Sequence, residues 1–142
     1  MIQIEETQWP LVTFTFSGKV TLAEMVDYLA TCERYIQLDE RYIGLVLVKD
    51  LSPMDGAAIR LQANWVKAQE GWLRRKSLGV ALVLPSLWMV GLLRAVLWIQ
   101  PMPQPYLVCG SVEEAMPWIQ ERIRLAGIDS TQRLRRRAQG AA

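Results

Sequence analysis

The sequence contains no histidine. That absence removes Ser-His and Cys-His nucleophilic catalysis, imidazole ligation of metals and a histidine pH switch near neutrality. Cysteine is nearly absent as well. Cys32 and Cys109 stand far apart, with no CxxC spacing and no cluster of ligands around them, so neither a zinc site nor a disulfide framework is indicated. Both read as reduced core thiols of a cytosolic protein. The opening stretch MIQIEETQWP carries acids where a secretory leader carries bases, so export is not expected and the location implied is cytoplasmic. No glycine-rich phosphate loop, Walker motif or GxSxG occurs. The adjacent carboxylates Glu5-Glu6, Asp39-Glu40 and Glu113-Glu114 sit at predicted element ends and read as solvated surface pairs. No catalytic residue, metal ligand or cofactor site can be nominated, and the class expected is non-enzymatic.

Charge is missing over one long stretch. Between Lys76 and Glu113 the only charged residue is Arg94, and SLGVALVLPSLWMVGLLRAVLWIQ is long enough to cross a bilayer. Pro85-Ser86 divides it into GVALVL, which has strand character, and LWMVGLLRAVLWI, which has helical character. A strand followed by a buried helix is therefore expected, with no transmembrane span.

The chain does have enough apolar material for one core. It is 142 residues long, 51% hydrophobic and 21% charged, which suits a single domain and leaves no room for a second. The formal net charge of +2 hides an asymmetry. From Arg122 to Arg137 six arginines face Asp129 alone, a sum of +5, so the remainder sums to −3.

Strand and helix signals alternate along the chain. IQIEE and LVTFTFSG predict a hairpin around Gln8-Trp9-Pro10, the second strand alternating Val12, Phe14 and Phe16 with Thr13, Thr15 and Ser17. Thr21 and Glu24 form a capping box that opens a helix whose apolar positions are Leu22, Met25, Val26, Leu29, Cys32 and Ile36. YIGLVLVKD is apolar on both sides and predicts a central strand. From Asp55, a candidate N-cap, one helix is expected to run to Lys76, weakened near Gly71. LGVALVL, LWMVGLLRAVLWI and PYLVCG predict strand, helix and short strand. The last helix, SVEEAMPWIQERIRLAG, has Ser111 as cap and Gly127 as stop, with Pro117 late enough to kink it or shift its start. The order is β-β-α-β-α-β-α-β-α, an α/β fold with a mostly parallel central sheet, one antiparallel edge strand and helices packed on it. Residues 1–127 form the domain and 128–142 a basic tail, flexible or helical.

That order, with KDLSPMDGAA after the central strand and VALVLPSLWMVGLLRAV and PYLVCGSVEEAMPWI at the end, resembles the STAS fold of anti-sigma-factor antagonists, and most closely the SpoIIAA-like group of STAS/SEC14 domains. The likeness covers roughly residues 1 to 126. It implies a bacterial regulatory module that works by protein contact. In the phosphoswitch members the loop before the second helix carries an Asp followed by a Ser or Thr that a partner kinase phosphorylates. Here the matching loop is Leu51-Ser52-Pro53-Met54-Asp55, and the acceptor position is Gly56, followed by Ala57. Glycine has no hydroxyl to carry the two negative charges that operate such a switch.

Three sets of residues are the candidates for function. Ser52, Met54, Asp55 and Gly56 form a partner-binding loop. Ser52 as a turn residue bonding its own backbone and Asp55 as a helix cap are the structural alternatives. Trp88, Leu92, Arg94 and Trp98 on the apolar helix 87–99 form an interface, most simply with a second copy of the chain, or part of an apolar pocket, or a peripheral contact with the inner membrane. The same helix could instead be core, covered by the second helix and the tail. Arg133, Arg135, Arg136 and Arg137 could meet an acidic partner or anionic lipid, with no base-reading element to suggest specific nucleic-acid binding. The SEC14 likeness implies a second reading, a lipid or other small apolar ligand held between sheet and helices.

Overall fold

Alternation builds the centre of the molecule. In the computed structural model, which describes residues 1–99 and 101–128 and omits the side chains of Leu92, Val96 and Ile99, β1 (Ile2–Glu5) and β2 (Leu11–Gly18) form the expected antiparallel hairpin. Val12, Phe14 and Phe16 of β2 are buried on one face, while Thr13 and Thr15 are half-buried on the other. β3 (Ile43–Leu51), β4 (Gly79–Val83) and β5 (Tyr106–Cys109) follow in parallel, giving a five-stranded sheet in the order β1-β2-β3-β4-β5. β3 lies in the middle, as its two apolar faces require.

Each face has its own core. On the first, Val12, Phe14 and Phe16 pack with Met25, Leu29, Cys32 and Tyr35 of α1 (Leu22–Leu38). The capping box that starts α1 is present in full: Glu24 N–H donates to Thr21 Oγ1 at 3.1 Å, and Thr21 N–H donates to Glu24 Oε2 at 3.0 Å. The helix is rotated from the expected stripe. Leu22 and Val26 are exposed, and Tyr35 takes an inward position because its hydroxyl reaches the Glu6 carboxylate while its ring meets Trp9 and Tyr42. On the second face, Leu11, Ile43, Leu45 and Ala81 pack with Ala115 and Ile119 of α5 (Val112–Leu125).

The helix expected from Asp55 to Lys76 is two helices, α2 (Gly56–Ala68) and α3 (Glu70–Lys76), separated at Gln69. Gly71 lies just past the break, where its weak helical preference offers least resistance. On either side of the break a Trp indole is held by α1 or its cap: Trp65 Nε1 donates to Glu33 at 3.0 Å and Trp72 Nε1 to Asp39, the residue that caps α1, at 3.4 Å. α4 (Leu87–Ile99) links β4 to β5. Ser111 caps α5 as expected, and the helix starts at Val112 with Pro117 inside it rather than shifting toward the proline. Gly127, at φ 68°, stops it. Cys32 and Cys109 are free and buried in different cores, on opposite faces of the sheet. Among the described residues no helix is long and apolar enough to cross a membrane.

Candidate functional site

The loop after β3 is anchored at both ends. Ser52 N–H donates to the Gly18 carbonyl at 2.8 Å, tying the loop to the end of β2. Asp55 accepts from Ala57 N–H at 3.1 Å and caps α2. Met54 is half-buried against the first core, so it serves as an anchor and leaves Ser52, Pro53, Asp55 and Gly56 facing solvent. The Ser52 hydroxyl does not bond its own backbone; it has no hydrogen-bond partner among the described residues. Gly56 is the first residue of α2, and a Cβ built there would meet only the tip of Arg60 at 3.4 Å. Space does not forbid a side chain at this position.

The structure overturns the expectation that the apolar helix is buried. Ser86 Oγ caps α4 by accepting from Met89 N–H at 3.3 Å, and the helix then runs with Leu87, Trp88 and Trp98 exposed at 90%, 73% and 89%. Gly91, Arg94 and Ala95 are exposed too, whereas Met89, Val90, Leu93 and Leu97 are half-buried. The outward stripe is therefore Trp88, Gly91, Ala95 and Trp98, with Arg94 beside it. Neither α2 nor any other described element packs extensively on α4, so it is not core covered by the second helix. Leu92 belongs to α4, but its side chain lies outside the described residues, as do Arg133, Arg135, Arg136 and Arg137.

An open cavity of about 160 Å³ lies between the sheet and α1 to α3. Phe14, Cys32, Trp65, Val80, Leu82 and Met102 are among its walls, and Trp88, Arg94 and Trp98 are not. Its ionisable groups are held neutral. Burial pushes the Cys32 thiol up to about 12 and raises the hydroxyls of Tyr28 and Tyr42 well above their ordinary value. One polar atom is left over: Gln104 Oε1, from another lining residue, is buried without a hydrogen-bond partner among the described residues. This cavity could not have been found in the sequence, since its walls come from six separate elements and the loop before β5. Among the described residues there is no group of acidic or cysteine side chains that could hold a metal ion.

Two solved structures share this arrangement. One is a protein of the DUF3478 family from Shewanella loihica PV-4, itself of SpoIIAA-like fold, with TM-score 0.62 and 17% identity over 84% of this chain and 92% of that one. The other is the Bacillus cell fate determinant SpoIIAA in its phosphorylated form, with TM-score 0.60 and 18% identity over 84% of this chain and 99% of that one. The fold is SpoIIAA-like. No protein-family model matches the sequence, and no curated protein matches it. On the SpoIIAA-like frame, loop 51–58 lies at the carboxyl end of the central strand, and α4 is the crossover between the last two strands.

Proposed function

We propose that the chain is a non-enzymatic, STAS-type regulatory module that acts by docking through α4 and loop 51–58, without the family's phosphoacceptor hydroxyl at position 56. The observation that carries this reading is the exposed stripe of α4. Its residues are arranged symmetrically about position 93: Trp88 and Trp98 lie five positions to either side, Gly91 and Ala95 two. An antiparallel pair of such helices across a two-fold axis sets each Trp88 against the other copy's Trp98, with small residues at the crossing where the backbones approach. The occupant of α4 in this reading is a second copy. Arg94 is the only charge on the helix and stays at the rim, its stem covering apolar surface. The two tryptophans are about 15 Å apart along the axis, the length of two to three turns of contact.

Loop 51–58 then serves the regulatory partner. SpoIIAA has a phosphorylated form; in this chain a docking surface at the same place on the fold would carry no phosphate at position 56, because Gly56 offers nothing to phosphorylate. The test is the mass in solution, by light scattering over a concentration series. A dimer near 32 kDa, twice the chain mass of 16.2 kDa, that falls to monomer in a W88S/W98S variant supports the reading. A wild-type monomer at all concentrations, or a dimer indifferent to both substitutions, overturns it.

A second reading rests on the cavity. Its neutral apolar walls and the unpaired Gln104 oxygen suit a small apolar ligand with one hydrogen-bond donor. Native mass spectrometry of the freshly purified protein would show such a ligand as a discrete added mass.

A further inference from the structure

The end of the sheet away from loop 51–58 gathers positive charge. Arg41 precedes β3, Arg74, Arg75 and Lys76 close α3 just ahead of β4, and Arg122 lies in the last turn of α5. Because β3 and β4 are parallel, the segments entering them arrive side by side, and all five cations line one open cavity of about 240 Å³. No carboxylate lines it. Residues 1–128 carry 12 lysines and arginines against 13 acids, a sum of −1, so the concentration runs against the sign of the body that bears it.

Helix ends account for part of this pattern, since cations in a last turn complement the helix dipole. They do not account for Arg41, which is on no helix, or for the convergence of three elements on one space. The side chains are partly oriented already. Arg122 Nε donates to the Leu78 carbonyl at 3.0 Å and Arg41 Nη2 to the Ala126 carbonyl at 2.8 Å. Lys76 and Arg74 meet Asp39 and Glu70 in exposed pairs, while Arg75 has no ion pair among the described residues. Residues 129–142 carry four arginines and one aspartate, so their side chains add to the positive charge of the chain.

We propose that this cavity binds a phosphate-bearing anion, gripped by the guanidinium groups of Arg75 and Arg122 with Arg41, Arg74 and Lys76 supplying further charge. Planar guanidinium forks match two phosphate oxygens at once, which an isolated ammonium does not. The site does not rest on the docking reading: it lies at the end of the strands away from loop 51–58 and shares no residue with α4. The phosphate can belong to a soluble metabolite or to a lipid headgroup. The full-length protein is titrated calorimetrically with inorganic pyrophosphate at physiological salt, and sedimented with phosphatidylcholine vesicles containing phosphatidylglycerol. One-to-one saturable pyrophosphate binding without vesicle binding identifies a soluble ligand. Vesicle binding displaced by pyrophosphate identifies a headgroup. In either case Arg75→Gln and Lys76→Gln, both outside the cores, should each raise the dissociation constant about tenfold, and Arg60→Gln, the same charge change on α2, should leave it unaltered. Absence of saturable binding to both probes overturns the proposal. So does binding that survives Arg75→Gln and Lys76→Gln, which would place the anion on the arginine tail, or binding weakened equally by Arg60→Gln, which would mean a diffuse field.

Discussion

At Gly79 the chain enters β4 with φ 139°, and a Cβ there would lie 2.8 Å from both the Pro105 carbonyl oxygen and the Trp118 ring. The clash is with backbone on one side and a packed indole on the other, so neither can yield cheaply. Gly79→Ala should cost about 3 kcal/mol, combining left-side backbone strain with overpacking, measured as a lowered urea midpoint. Gly56 is the opposite case. Its surroundings are open and its backbone is helical, so Gly56→Ser should change stability by less than about 0.5 kcal/mol, and the variant supplies a hydroxyl at position 56 that a kinase assay with labelled ATP can score against the wild type. Cys32 makes a third residue-scale prediction. Its folded pKa is raised from 9.0 to about 12 by burial, so below pH 9 the thiol is protonated in both states and its contribution is complete. Between pH 9 and 12 the unfolded thiol ionises while the folded one does not. Stability should therefore fall by about 1.4 kcal/mol per pH unit from this group, steepening above pH 10 as Tyr28 and Tyr42 add to it. Denaturation midpoints at pH 8, 9.5 and 10.5 would show it; a flat profile would mean that the thiol titrates in the folded state.

At the scale of elements, what a sequence can announce is what short-range chemistry decides. The capping box Thr21-Glu24, the caps Asp55 and Ser111 and the stop at Gly127 are local and were legible, as was the order of strands and helices. The rotation of α1 was not, because the pull on Tyr35 comes from Glu6 and Trp9, distant in sequence, in the connection between β1 and β2. The break at Gln69 was half-legible: Gly71 marked the weak place, but the hydrogen bonds that exploit it belong to Glu33 and Asp39. For α4 the composition left core and interface open, because hydrophobicity alone does not say whether the covering partner belongs to the same chain. Of the candidate residues, the structure brings Ser52, Asp55 and Gly56 together on one exposed loop and Trp88, Arg94 and Trp98 on one exposed helix, and puts Met54 into the core edge. Replacing Trp88 and Trp98 by serine should leave the monomer's unfolding free energy within about 0.5 kcal/mol of wild type, since both rings are largely in water, with circular dichroism unchanged. A cooperative loss of structure in that variant would return α4 to the core.

The whole molecule is polar in a literal sense. The five cations lie near the amino ends of β3 to β5, opposite Asp50 in the last residues of β3 and Asp55 in the loop after it. Such a charge distribution orients an approaching charged partner before contact, and raising salt from 50 to 500 mM should slow association at the basic end while leaving apolar pairing through α4 intact. Stopped-flow association with an anionic probe separates the two. No residue of α4 lines the basic cavity or belongs to loop 51–58, so self-pairing through α4 uses neither set of residues.

The sequential order of strands also has a consequence during synthesis. Because β1 to β5 are neighbours in chain order, each strand emerging from the ribosome finds its partner already made, and the sheet can grow one strand at a time from its first hairpin. Its second face gains no such early cover. Leu11, Ile43, Leu45 and Ala81 wait for Ala115 and Ile119, which are made after the last strand, so a nascent chain held on the ribosome before α5 is released presents a greasy sheet to its surroundings, and that is the interval in which a chaperone would find it.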